Sequence, residues 1–128
     1  MANVEKYDDL VIGSGIAGKF VAWTGNAARR TAIVERALLG GSCPNVACLP
    51  SKNMIWSAKA ISLGRRGMEF GLKTASMSVD MAAVQRRKRA MVEELHDIHL
   101  AHTKASGADL IMGAARFVAP RTVENRSS

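Results

Sequence analysis

A chain of 128 residues with 48% hydrophobic and 23% charged side chains, eleven glycines and three prolines has room for one domain and a sizeable core. That composition excludes a disordered, collagen-like or low-complexity chain, and a compact fold of 13.7 kDa should expose roughly 6,600 Å². Eighteen basic against eleven acidic residues give a net charge of +7, but the basic groups are scattered as Arg29–Arg30, Arg65–Arg66 and Arg86 to Arg89. With few aromatic residues among them they read as solvated surface rather than a nucleic-acid face.

The first nine residues carry Glu5, Lys6, Asp8 and Asp9, an acidic start where a secretory leader would be basic. No apolar run reaches the roughly 18 residues of a membrane span. A cytoplasmic protein with no membrane partner is expected. Leu10–Val11–Ile12 is a short apolar run of the kind buried on both faces of a parallel sheet, and it ends at Gly13. Gly13-Ser14-Gly15-Ile16-Ala17-Gly18 leads into a helix-compatible stretch from Lys19 to Ala28. A second apolar run, Thr31 to Val34, ends at Glu35, and the whole has the proportions of one β-α-β unit. Residues 42–63 read as a loop entering a helix, and Gly64, Gly67 and Gly71 punctuate a linker. A long helix is predicted from a cap at Ser78 or Asp80 to about Ala105, before Gly107. Its apolar stripe is Met81, Val84, Met91, Val92, Leu95 and Ile98, interrupted by a snorkelling Lys88. Leu110–Ile111–Met112 reads as another buried strand. Arg116 to Glu124 supplies one or two short strands around Ala119-Pro120-Arg121, and Asn125 to Ser128 is a polar tail without pattern.

Two stretches carry chemistry. In the glycine turn, Gly13 permits the tight bend, Gly15 lets backbone approach a pyrophosphate, and Gly18 lets helix and strand pack. The helix N-terminus offers free N–H groups and the positive end of its dipole to phosphates. Glu35, 17 residues after Gly18, sits where a carboxylate accepts from an adenosine ribose. The second stretch, Gly40-Gly41-Ser42-Cys43-Pro44-Asn45-Val46-Ala47-Cys48-Leu49-Pro50-Ser51-Lys52, holds both cysteines. A structural disulfide there would close a very short loop, worth only about 2 kcal/mol. A metal site would lack its remaining ligands, since His96, His99 and His102 lie far off at intervals that drift around their helix. A redox-active dithiol is the favoured reading, with no metal site. Both thiols lie near a helix start, which is expected to lower their pKa values. The three histidines are expected to be solvated or partly packed.

The glycine turn with its acid, followed by G-G-S-C-P-N-V-A-C-L-P-S-K, resembles the amino-terminal FAD-binding segment of the pyridine nucleotide-disulfide oxidoreductases. With Ala22-Trp23-Thr24 before and Ser51-Lys52-Asn53 after, the wording is nearest to mercuric-reductase-like and dihydrolipoamide-dehydrogenase-like members. The resemblance implies an α/β, Rossmann-like FAD-binding domain with a parallel sheet, incomplete, with a long helix and a short C-terminal β segment. It would span residues 1–124 as the amino-terminal part of an FAD/NAD(P)-binding domain, with 125–128 as tail. It implies that Gly13, Gly15, Gly18 and Glu35 hold the ADP half of FAD, with Gly41 and Ser42 along the pyrophosphate and ribityl chain. Cys48 would be the thiol beside the flavin ring and Cys43 the interchange thiol that attacks substrate. Lys52 would stabilise the reduced, anionic flavin. NAD(P)H is the family's electron donor, and a small disulfide or a metal ion such as mercuric ion is the substrate.

The family also implies a nicotinamide domain, a second flavin-contacting stretch and a dimerisation domain with a His–Glu pair. None matches this sequence, and a truncated member, inactive alone, is expected. Members carry a glycine between the first helix and second strand, where Asn26-Ala27-Ala28-Arg29-Arg30 has none, so a strained or shifted turn is expected. The alternatives to the oxidoreductase reading are a nucleotide-binding module without turnover and a basic protein that binds nucleic acid through Arg86, Arg87, Lys88 and Arg89.

Overall fold

The computed structural model describes residues 4–25, 28–73 and 76–126. The three apolar runs form one parallel sheet, β1 (Asp9–Ile12), β2 (Thr31–Glu35) and β3 (Asp109–Met112), in the order β1-β2-β3. The pairing sets Leu10 beside Ala32, Ile12 beside Val34 and Glu35 beside Met112. Parallel neighbours need helical crossovers, and α1 (Ile16–Thr24) joins β1 to β2 while α3 (Cys48–Arg65) and α4 (Met81–Ala105) lie between β2 and β3. Every residue of the central strand β2 is buried. An antiparallel hairpin, β4 (Ala114–Ala119) and β5 (Thr122–Arg126), closes the described chain around Pro120 and Arg121. Asn125 and Arg126, which carry no pattern in the sequence, pair there with Ala115 and Ala114. The expected α/β architecture, with parallel sheet, long helix and C-terminal β segment, is the one present.

Four local expectations are corrected. Val11 faces α1 at Gly18, so Leu10 and Ile12 point to the other face by the two-residue period of a strand. They stand 39% and 48% exposed, and β1 is an edge strand partly covered on one face only. Met112 in β3 is likewise 49% exposed. Helix α1 starts at Ile16 rather than Lys19 and ends at Thr24. Asn26 and Ala27, on which the expected strained turn falls, lie outside the described residues; beside them Gly25 has φ −54°, away from the left-handed region. The stretch after Gly41 holds a one-turn helix, α2 (Ser42–Asn45), before α3. Pro50 is the third residue of α3, where the missing N–H costs no helical bond.

Helix α4 begins where Asp80 caps it by accepting from the Ala83 N–H at 3.0 Å, and Gly107 follows its end with φ 74°. The fourth correction concerns its buried face. Met81 and Ile98, the ends of the apolar stripe, are exposed, whereas His99 and Thr103 are buried. Polar residues occupy the contact because α1 offers them partners. The Trp23 indole N–H donates to Thr103 Oγ1 at 3.2 Å, and its ring packs on His99 with centroids 5.6 Å apart. Arg87 ties α4 to α3, donating to the Asn53 carbonyl and to Ser57 Oγ, both at 2.6 Å. No helix among the described residues is long and apolar enough to cross a membrane.

Candidate functional site

The glycine turn stands at the carboxyl end of β1. Gly13 has φ 86°, a conformation that costs glycine nothing, and its N–H donates to the Val34 carbonyl at 2.8 Å. The first helical bond of α1 runs from Lys19 N–H to the Gly15 carbonyl at 2.9 Å. The N–H groups of Ile16, Ala17 and Gly18 therefore have no intrahelical acceptor. A Cβ on Gly18 would stand 2.2 Å from the Gly13 carbonyl oxygen and 2.9 Å from Val11 Cγ1, so this glycine is where helix and strand meet. A cleft of about 390 Å³ lies over the turn, walled by Gly13, Ser14, Gly15, Glu35, Gly113 and Ala114 among others.

Glu35 is buried on the wall of that cleft. Its Oε2 accepts from the Ser14 N–H at 2.9 Å and the Ser14 hydroxyl at 2.6 Å, and its Oε1 from the Ala37 N–H at 2.9 Å. Burial disfavours its charge, but these donors outweigh burial and hold the carboxyl below the usual glutamate range. Ser14 Oγ also accepts from the Gly40 N–H at 2.9 Å. One fully buried hydroxyl thus joins the first motif, its acid and the second motif.

The second motif is folded against the first. Gly41 has φ 76°, and a Cβ there would lie 2.8 Å from Gly15 Cα. Asn45, between the cysteines, donates to the Gly41 carbonyl at 2.7 Å and the Leu39 carbonyl at 3.0 Å, fixing the turn. Ser42 opens α2 on the surface; Cys43 follows it, half-buried, and Cys48 opens α3, exposed. Both are free thiols. Lys52 lies one turn beyond Cys48, in a groove with Leu49, Asn53, Trp56, Arg87 and Met91.

No family model matches the chain. Curated proteins do. It is 33% identical over 126 residues to a mercuric reductase of Lysinibacillus sphaericus, covering 97% of this chain and 23% of that protein. It is 33% identical over 116 residues to a dihydrolipoyl dehydrogenase of Bacillus subtilis, covering 90% and 24%. A mercuric reductase of Staphylococcus aureus is 32% identical over 120 residues, covering 92% and 22%. Over nearly its whole length the chain is thus similar to mercuric reductases and dihydrolipoyl dehydrogenases. It spans less than a quarter of the length of these relatives, which are oxidoreductases by name.

In this chain the Cys43 thiol is electrostatically unlike the sequence expectation. The Cys43 thiol is pushed up, first by its hydrogen bond with Cys48, then by burial and by the charge of Cys48, while Lys52 and Lys19 pull the other way. The neighbouring ionisable sulfur is the largest influence on Cys43. The histidine expectation is also revised. His99 is buried against Trp23, with Lys19 Nζ 2.6 Å from its Nε2.

Sequence reasoning passed over Ser14, Asn45, Gly113 and the Lys19–His99 pair. Asn45 had a local signal, an amide beside a Gly-Gly turn. Gly113, with φ 144° and its N–H donating to the Glu35 carbonyl at 2.9 Å, was marked by ending an apolar run. Ser14 and the pair had none, since their partners are distant in the chain. Among the described residues no group of three or more His, Cys, Asp or Glu side chains is placed to hold a metal ion. Of the basic run, Arg87 is engaged with α3 and Arg86 lies 3.7 Å from Asp80.

Proposed function

We propose that this chain holds the ADP half of FAD over its glycine turn and carries a redox dithiol, Cys43 and Cys48, that delivers electron pairs to a small disulfide or to mercuric ion in the cytoplasm. The observation that carries this reading is the meeting of Gly41 with Gly15. It puts the backbone of the dithiol segment and the phosphate-type turn in contact, with no side chain between them. The residues suit the group: α1 offers three N–H donors and its dipole to a pyrophosphate, and Glu35 is ionised on the cleft wall, the state that accepts from ribose hydroxyls. FAD, when bound, supplies the electron pair that restores the dithiol, with NAD(P)H as the donor upstream. Lys52 is the cation this chain offers to a reduced, anionic flavin.

The thiol steps follow from the residues themselves. Cys43 thiolate attacks a substrate disulfide, forming a mixed disulfide and releasing one substrate thiolate. Cys48 thiolate then attacks the Cys43 sulfur, forming the Cys43–Cys48 disulfide and releasing the second. The chain loses two electrons and two protons, and the substrate disulfide gains them as two thiols. The test is the visible spectrum of the purified chain reconstituted with FAD, before and after dithionite. Bound flavin with a long-wavelength band on two-electron reduction is expected; Cys48→Ser should abolish the band and Cys43→Ser should keep it. The opposite pattern would exchange the two roles, and a chain that takes up no FAD would overturn the reading.

A further inference from the structure

Lys19 belongs to α1, yet its ammonium is held by α4. Its Nζ lies 2.6 Å from His99 Nε2 and 5.6 Å from the centroid of the Trp23 ring. The other ring nitrogen of His99 bonds the Leu95 carbonyl. A carbonyl only accepts, so Nδ1 carries the proton and Nε2 offers its lone pair to the lysine. His99 is 7% exposed and its edge is pressed on the second motif. A Cβ at Gly40 would meet His99 Cδ2 at 3.0 Å, Pro44 Cγ at 3.1 Å and His99 Nε2 at 3.2 Å. The clamped ammonium therefore sits behind the turn that leads into Cys43. Among the described residues Lys19 forms no ion pair with a carboxylate.

We infer that Lys19 is a positioning residue of the dithiol: fixed by His99 and Trp23, its uncompensated charge supports the Cys43 thiolate that attacks substrate. The inference rests on the exchange role proposed for Cys43 above. Its field already opposes the push of Cys48 on the Cys43 thiol. The titratable groups whose charge reaches Cys43 are Cys48 and Lys52 on α3 and Lys19 on α1, and His99 on α4 holds the lysine. Lys52 is exposed, free to turn away, whereas Lys19 is half-buried and held. A thiolate beside a fixed cation forms at lower pH and its disulfide is easier to reduce.

The test removes Cys48 and needs no flavin. In Cys48→Ser chain, Cys43 is the sole thiol, and its ionisation is followed by ultraviolet thiolate absorbance and by the pH profile of iodoacetamide alkylation. Lys19→Gln should move the midpoint upward and cut alkylation at neutral pH roughly three- to tenfold, while Lys19→Arg should restore both. An unchanged midpoint in Lys19→Gln, with native circular dichroism, would overturn the inference. Should that variant not fold, the Cys48→Ser/Lys52→Gln chain with Lys19 intact is titrated at low and high salt. A midpoint that rises with salt supports the inference, because screening weakens the remaining cation; a salt-independent midpoint overturns it. FAD uptake is measured separately, so a chain that binds no flavin fails the functional reading and leaves this result legible.

Discussion

Ser14 is the residue on which the site's geometry turns. Its hydroxyl donates to Glu35 and accepts from the Gly40 N–H while fully buried. Ser14→Ala leaves a buried amide and one carboxylate oxygen short of a partner, an expected cost of about 1–3 kcal/mol in chemical denaturation. Glu35 itself carries a pH signature. Its folded-state pKa lies below the ordinary 4.5, so between the two values the unfolded chain binds more protons than the folded one. The stability it contributes is complete above the ordinary value and is lost as pH falls through the folded one. Unfolding midpoints should therefore fall as pH drops through that range, and Glu35→Gln should flatten this part of the slope. A slope unchanged in the variant would mean that another carboxylate is responsible.

At the scale of elements, the interruption between α2 and α3 decides where the sulfurs stand. A single helix through residues 42–63 would carry Cys43 and Cys48 five residues apart, on diverging faces. Breaking it at Val46 and Ala47 turns them toward each other, close enough for the hydrogen bond that raises the Cys43 thiol. The turn into α2 depends on Gly41, whose φ is 76° and where a Cβ would stand 2.8 Å from Gly15 Cα. Gly41→Ala should cost about 1–3 kcal/mol in backbone strain and weaken FAD binding, read by melting curves and flavin fluorescence. Helix α3 is in turn held by Arg87, whose Nη2 donates to the Asn53 carbonyl and Ser57 Oγ and whose Nε donates to Asn53 Oδ1 at 3.3 Å. Arg87→Ala should lower the melting temperature, and Arg87→Lys should not restore it, because one ammonium cannot reproduce the planar fork.

Across the whole molecule the chain exposes 9336 Å², against the roughly 6,600 Å² expected of a compact chain of its mass. Among the described residues the apolar core is Ala22, Ala32, Ile33, Val34 and Leu39, while Phe20, Ile55, Trp56, Met68 and Phe70 are all more than half exposed. A core so small leaves stability sensitive to any ligand of the native state. At a free FAD concentration a hundredfold above its dissociation constant, stability should rise by about 2.7 kcal/mol, seen as a higher melting temperature. A Cβ at Gly15 meets no protein atom within 4 Å, so Gly15→Ala should keep the melting temperature of the free chain and lose most of the rise. The β-α-β unit, the capped long helix and the two motifs were legible in the sequence because each rests on local rules: apolar periodicity, glycine at bends, a capping acid. The buried His99 and Thr103 were not, because a polar helix position is buried only when a distant side chain such as Trp23 supplies the partner. Nor was the second thiol's hold on Cys43. By itself the sequence determined which elements form and which groups are present to do chemistry. Only the tertiary structure decided which face of β1 is covered, that Gly15 and Gly41 touch, and that a lysine from the first helix is held by His99 of the long helix, since contacts between distant residues are set by packing.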